Sequence, residues 1–195
     1  MYQRSSLTEK EALAVRENGR LLHIGYDSIM NYHGGAMPAG VALAFRMFSG
    51  LTERFQALYG DVPERSQVSF YTGLGENGQG IIDTAEALYR VKSRERLNTD
   101  ILACQDKDAP DAPGGGKYFF SGIMGAMSWE ASLRDGIIDR EFYVRSLKMH
   151  RLLDEGREPT ERDTRELMDV RKAAEQRILK KSPAELFLFK IDILL

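Results

Sequence analysis

The loop HGGAMPAG, residues 33–40, holds the side chain of this sequence best suited to chemistry. His33 stands beside Gly34 and Gly35, and Pro38 suits the first turn of a following helix. An imidazole can carry a proton or bind a metal near neutral pH, and a helix N-terminus favours anions. The stretch therefore indicates a ligand site, a catalytic site, or a tight turn in which the histidine is a bystander.

The other residues suited to chemistry have weaker patterns around them. The glycine-rich stretch GLGENGQG (73–80) could direct backbone N–H groups at a phosphate. Its glycines lack the dinucleotide-binding spacing and no Lys-Ser or Lys-Thr pair follows, so a plain strand-to-helix turn is favoured. His23 is interpreted as structural and His150 as a surface residue of a helix. Lys117 either meets an anion or ends a strand in solvent.

Hydrophobic periodicity predicts the elements that must position these residues. The predicted helices cover residues 8–18, 38 to about 58, 81–91, 139–153 and 161–181. The predicted strands cover residues 67–74, 101–105, 117–124 and 186–193, and residues 106–117 are predicted to be a loop. Gly50 inside the second helix predicts close packing against a neighbour. Strands and helices mix without strict alternation, so the predicted class is α+β.

Size and charge limit the kinds of protein that fit. A chain of 195 residues and 22.0 kDa corresponds to one domain. A net charge of −2 and a pI near 6.0 argue against a nucleic-acid partner. The single cysteine, Cys104, excludes an internal disulfide. No apolar run approaches the roughly 18 residues of a membrane span, and the N-terminal stretch lacks the apolar middle of a signal peptide. We therefore expect a cytoplasmic protein without a membrane partner.

Four stretches, in order between about residues 23 and 190, resemble one known family. NYHGGAMPAGVALAFRM resembles the signature F-H-G-H-x-C-P-G and its following apolar helix in the FmdE-like family, named after a component of formylmethanofuran dehydrogenase. GQGIIDTAEAL resembles the family's second motif, a cysteine three residues before an aspartate. GGGKYFF resembles its G-K-x-x-F strand, and RKAAEQRILKKSPAELFLFK its charged C-terminal helix with proline and E-L-F.

The resemblance implies a fold, an assembly and a kind of site. The fold would be a single domain with a two-layer α+β core at about residues 20–150, followed by a helical extension and a closing strand at about 151–195. The assembly would be a homodimer, and the metabolic setting one-carbon or redox metabolism related to methanogenesis. The site would be a cluster of histidine, cysteine and aspartate that binds a metal, often zinc. The cysteine-rich finger of some members is absent here, because no cysteine follows Cys104.

The sequence departs from the family's ligand set. His33, Asp83 and Lys117 match the motifs. The replaced positions are Gly35 for the second histidine, Met37 for the first motif's cysteine and Gly80 for the second motif's cysteine. Zinc takes about four N, S or O ligands, so the pattern argues against a structural zinc. A site of two ligands, His33 and Asp83, completed by waters, Glu76 or a dimer partner's residue, would hold a divalent metal such as zinc only weakly.

Three functions stay open at this point. In the first, a pocket formed by two helix ends around His33 and Asp83 binds a metal or a small organic or anionic ligand. The residues expected to contact that ligand are Gly34, Gly35, Met37 and Gly80. In the second, the chain is an enzyme in which His33 and Asp83 form an acid–base pair assisted by Tyr32, Glu76 or Lys117. In the third, it is a non-catalytic dimeric assembly partner that has lost the metal site.

Overall fold

The computed structural model of the chain describes residues 11–194 and gives an α+β fold. The helices in this range are α1 (Tyr26–His33), α2 (Pro38–Tyr59), α3 (Gln79–Tyr89), α4 (Arg140–Asp154), α5 (Glu161–Leu179) and α6 (Pro183–Leu186). The strands are β1 (Ala12–Glu17), β2 (Arg20–Gly25), β3 (Val68–Thr72), β4 (Leu97–Asn98), β5 (Phe119–Met124), β6 (Met127–Leu133) and β7 (Phe187–Ile193). Short 3-10 turns cover Arg65–Gln67, Gly75–Asn77 and Ile101–Cys104.

A mixed five-stranded sheet of order β4-β3-β5-β6-β7 forms one layer, and helices pack against it. The short β4 pairs in parallel with β3, and the remaining neighbours pair antiparallel. Because β7 pairs with β6 along its length and Ala174 and Ile178 of α5 belong to the main hydrophobic cluster, the C-terminal segment is part of the core.

The long helix α2 is the centre of the fold. Its apolar positions Val41, Leu43, Phe45, Phe48 and Leu51 are almost fully buried. A Cβ added at Gly50 would lie 2.6 Å from the Cβ of Pro183. The predicted close packing at Gly50 is therefore confirmed, and it accounts for a residue that otherwise weakens a helix.

The predicted helix at residues 8–18 is wrong where the structure describes it. Residues 8–10 lie outside the described residues, and Ala12–Glu17 is a strand paired with β2. Leu13 and Val15 alternate with more exposed residues, which is the period of a strand. Asn18 and Gly19 have positive φ of 52° and 76°, and Asn-Gly is the preferred turn of a two-residue hairpin.

Two further differences concern the sheet. The predicted strand at 101–105 is wrong, because Ile101–Cys104 is a 3-10 turn whose start is capped by the Asp100 carboxylate, which accepts from the Leu102 N–H. The strands β4 and β6 are not among the predicted strands, although the burial of β6 alternates at every residue. The other predicted helices and strands are confirmed to within a few residues of their ends, and residues 106–117 form neither helix nor strand.

A charge cluster ties the β1–β2 hairpin to the rest of the fold. The Glu17 carboxylate accepts hydrogen bonds from the guanidinium groups of Arg65 and Arg94. These two contacts lower the pKa of Glu17 to about 2.

Candidate functional site

The turn between α1 and α2 requires both of its glycines. His33 is the last residue of α1, and Gly34 caps the helix with φ of +76°, its N–H donating to the Met30 carbonyl at 3.0 Å. Gly35 also has positive φ, +78°. No atom lies within 4 Å of a Cβ added at either glycine. The glycines are thus needed for left-handed backbone.

The structure brings His33 and Asp83 into direct contact, from α1 and α3. Nδ1 of His33 lies 2.7 Å from Oδ2 of Asp83, and the two side chains are 4% and 22% exposed. On the other side of the ring, the N–H of Met37 donates to Nε2 at 2.9 Å. Since Nε2 accepts, the ring proton is on Nδ1, which donates to the carboxylate. The ring is a neutral link that joins α1, α3 and the residue preceding α2.

This arrangement limits what His33 can do in the state described. Both ring nitrogens are engaged, so a metal ion or a substrate proton could reach His33 only by displacing one of the two hydrogen bonds. Within residues 11–194, no group of three or more His, Cys, Asp or Glu side chains could hold a metal ion. The catalytic and metal-binding roles of His33 and Asp83 stay predictions.

Close backbone contact brings the first turns of α2 and α3 together. A Cβ added at Gly80 would lie 2.8 Å from the Met37 carbonyl oxygen and 2.9 Å from the Val41 nitrogen. Only glycine fits at this position without a shift of backbone. Gly80, which the resemblance matched to the second motif's cysteine, is therefore a helix-crossing point in this chain.

A cavity of about 100 Å³ opens at this junction. Met37 and Gly80 line it, whereas His33, Asp83, Gly34, Gly35 and Lys117 do not. Its remaining lining residues come from α2, the 74–81 turn, the 112–118 stretch, Ile138, α4 and α5: Ala39, Gly40, Leu43, Leu74, Asn77, Gly78, Ile81, Ala112, Pro113, Gly114, Tyr118, Ile138, Phe142, Ser146, His150 and Arg171. No acidic residue of the described chain lines the cavity.

Arg171 of α5 places a cation at this cavity. Its guanidinium donates to the Ala36 carbonyl at 3.0 Å, and no carboxylate of residues 11–194 lies within ion-pairing distance of it. Burial lowers the pKa of Arg171, an effect that the nearby Tyr118 opposes. An arginine keeps its charge even so. The cavity thus holds a partly desolvated positive charge that the described protein does not neutralise.

Two hydroxyls at the cavity also lack partners among the described residues. Ser146 is 5% exposed and its Oγ is buried without a hydrogen bond. Tyr118 is 6% exposed, and its hydroxyl makes no hydrogen bond to residues 11–194. Burial raises the pKa of Tyr118, so the hydroxyl keeps its proton. Buried polar groups in folded proteins usually have partners, so the Ser146 hydroxyl points to a polar occupant.

His150 and Asn77 close one side of the cavity. A Cβ added at Gly114 would lie 3.0 Å from Cε1 of His150 and 3.1 Å from Nδ2 of Asn77. Burial lowers the pKa of His150, with Arg171 acting in the same direction and Asp154 against it. The prediction that His150 is simply a surface residue is wrong, because its ring is part of the cavity wall.

The remaining predicted site residues lie elsewhere. Lys117 Nζ donates to the Ala109 carbonyl at 3.2 Å and lies 3.4 Å from Asp111, so it holds the 106–117 loop together. Tyr32 is 59% exposed and Glu76 is exposed, and neither lines the cavity. The assisting roles predicted for these three residues beside His33 and Asp83 stay predictions.

Arg171 and Ser146 are not among the residues that the sequence predicted to be functional, although their positions carried a signal. Ser146 lies four residues after Phe142, and Arg171 four residues after Leu167, on the apolar stripes of α4 and α5. A polar residue on an apolar stripe is directed towards other protein groups or towards a ligand.

Comparison with known proteins does not assign the chain to a family. Models of known protein families gave no match, and no curated protein is significantly similar to it. The resemblance to the FmdE-like family therefore stays a prediction. No helix between residues 11 and 194 has the length and apolarity needed to cross a membrane.

Proposed function

We propose that this protein binds a small organic anion in the cavity at the N-terminal ends of α2 and α3. The observation that carries the proposal is Arg171, a cation at an apolar cavity that has no acidic lining residue and no carboxylate partner in the described chain. An uncompensated charge in such a place is costly for the empty protein, and an anionic ligand would offset that cost.

The two helix ends add to the attraction. Pro38 has no N–H and the N–H groups of Gly40 and Ile81 donate to the carbonyls of Met37 and Gly78, but the partial positive charge at a helix N-terminus still favours an anion. The walls around them are mostly apolar, with Leu43, Leu74, Ile81 and Phe142 among the lining residues. A cavity of about 100 Å³ has room for a small ligand of roughly four to ten non-hydrogen atoms. A short carboxylate with an aliphatic body fits this description.

Thermal unfolding with a matched pair of ligands tests the proposal. Pentanoate and pentanamide share a carbon skeleton and differ in charge. We expect pentanoate at about 100 times its Kd to add about 2.7 kcal/mol of stability, a rise in Tm of several degrees, and pentanamide to add little. Arg171→Gln should remove the rise, whereas Arg165→Gln, at an exposed position of the same helix, should keep it. Equal shifts for acid and amide, or a shift retained in Arg171→Gln, would contradict the proposal.

A second candidate is a divergent member of the FmdE-like family, related to formylmethanofuran dehydrogenase, with a weakly held metal at His33 and Asp83. The observation that favours it is that Nδ1 of His33 lies 2.7 Å from Oδ2 of Asp83, although the two residues were matched from separate motifs. Elemental analysis of the purified protein and of His33→Ala tests it. Metal near one equivalent that disappears in the variant would support this candidate, and no metal in either protein after incubation with zinc, iron and copper would exclude it. The homodimer and the role in one-carbon or redox metabolism are predictions of the same resemblance, and the cytoplasmic location is a prediction from the sequence.

A further inference from the structure

The cavity's polar groups are distributed along one face of α4. Ser146 and His150 are four residues apart, which places them on the same face and about 6 Å apart along the helix axis. Both line the cavity. Ser146 is the stronger indication of a polar ligand group, because its hydroxyl is buried without a partner among the described residues.

Along the helix axes the backbone of Arg171 lies away from that of His150, although the charge of Arg171 still acts on the His150 ring. α4 and α5 run antiparallel, and an ion pair between Arg145 and Glu166 sets their alignment. Arg171 lies five residues beyond Glu166, which corresponds to about 7.5 Å towards the N-terminal end of α4. His150 lies five residues beyond Arg145 in the other direction. Along the helix axes the backbone of Ser146 therefore lies between those of Arg171 and His150.

We propose that the ligand is a short carboxylate that binds Arg171 and carries a neutral hydroxyl or carbonyl group at its far end, recognised by Ser146 and His150. This inference rests on the proposed function and adds the second recognition element. The protein groups that would face the far end are the Ser146 hydroxyl, the His150 ring and the Asn77 amide, each of which forms hydrogen bonds while uncharged.

A second acidic group at the far end fits the lining less well. The ionisable groups that act on His150 are Asp154 on its own helix and Arg171 on α5, and burial lowers the pKa of the ring more than either changes it. A neutral imidazole beside an amide and a hydroxyl provides no counter-charge. A dicarboxylate would leave its second charge without a cation in a partly desolvated place, which is costly.

Calorimetry with three ligands of equal chain length tests the inference. Pentanoate, 5-hydroxypentanoate and glutarate differ only in the group at the end remote from the first carboxylate. We expect 5-hydroxypentanoate to bind about three- to tenfold more tightly than pentanoate, the effect of one buried hydrogen bond. Ser146→Ala should reduce that preference to less than twofold, while Ser132→Ala, in the sheet strand β6, should leave it unchanged.

The outcomes separate the inference from the function on which it rests. If pentanoate binds as tightly as 5-hydroxypentanoate, the inference is overturned while the anion site is supported. The same conclusion follows if glutarate binds most tightly of the three. No binding by any of them would overturn both. Ser146→Ala should fold normally, because the change removes a buried hydroxyl that has no partner to leave unpaired, and its urea midpoint checks this directly.

Discussion

Replacing His33 by alanine should destabilise the fold even though His33 does not line the cavity. The change removes the hydrogen bond from Nδ1 to Asp83 and the one that Nε2 accepts from the Met37 N–H. A hydrogen bond to a charged group contributes about 1.5–3 kcal/mol and a neutral one about 0.5–1.5 kcal/mol. The sum predicts a loss of about 2–4.5 kcal/mol in the free energy of unfolding, because the side chain is 4% exposed and water cannot readily replace it.

Urea unfolding followed by circular dichroism measures this loss. With a slope of about 2–3 kcal/mol per molar urea, the midpoint should fall by roughly 1–2 M. His23→Ala is the matched control, since His23 is exposed on β2 and should cost no more than about 0.5 kcal/mol. If His33→Ala and His23→Ala unfold at the same urea concentration as the wild type, the junction of α1, α2 and α3 is not held by His33 and the reasoning fails.

Three further predictions concern other parts of the molecule. Gly50→Ala should lower stability by about 1–3 kcal/mol in urea because its Cβ would lie 2.6 Å from Pro183, whereas helix propensity alone predicts a gain of about 1 kcal/mol. In the folded protein the pKa of Glu17 is lowered from 4.5 to about 2, so Glu17 stabilises the fold above pH 4.5 and loses that contribution as the pH falls towards 2. Glu17→Gln should therefore reduce the loss of stability between pH 4.5 and 2, whereas Glu158→Gln, at an exposed position, should not. Gly114→Ala should weaken 5-hydroxypentanoate binding severalfold in calorimetry with an unchanged urea midpoint, and unaltered affinity would contradict the placement of the cavity.

Local patterns predicted the elements with strong periodicity. The apolar stripe of α2 and the start signal at Pro38 determine that helix almost alone, and Thr160 with Asp163 forms the capping box that begins α5. The strand β1 was predicted to be helical because its polar residues suit the exposed face of a helix as well as that of a hairpin. Its Asn-Gly turn was the stronger signal.

The closeness of His33 and Asp83 was predicted from the resemblance to known motifs, since they are 50 residues apart in sequence. No spacing rule relates side chains on two separate helices. Neither the resemblance nor the spacing of residues indicated that both ring nitrogens of His33 are engaged in hydrogen bonds.

The cavity itself could not be predicted from local sequence. It forms where α2, α3, α4, α5 and the 112–118 stretch meet, and that meeting depends on the tertiary packing of distant segments. Arg171 lies in a helix so rich in charge that its burial is visible only after α5 packs on α2. The burial of a charged residue on such a helix therefore depends on which other helices pack against it, and local sequence does not specify them.

A crystal structure with 4-bromobutyrate tests the anion site most directly, because the anomalous signal of bromine locates the ligand independently of the carboxylate. We predict a bromine peak within the cavity between α2 and α4, with the carboxylate paired to the Arg171 guanidinium. An empty cavity at a saturating ligand concentration, or a ligand bound only elsewhere, would contradict the proposed function.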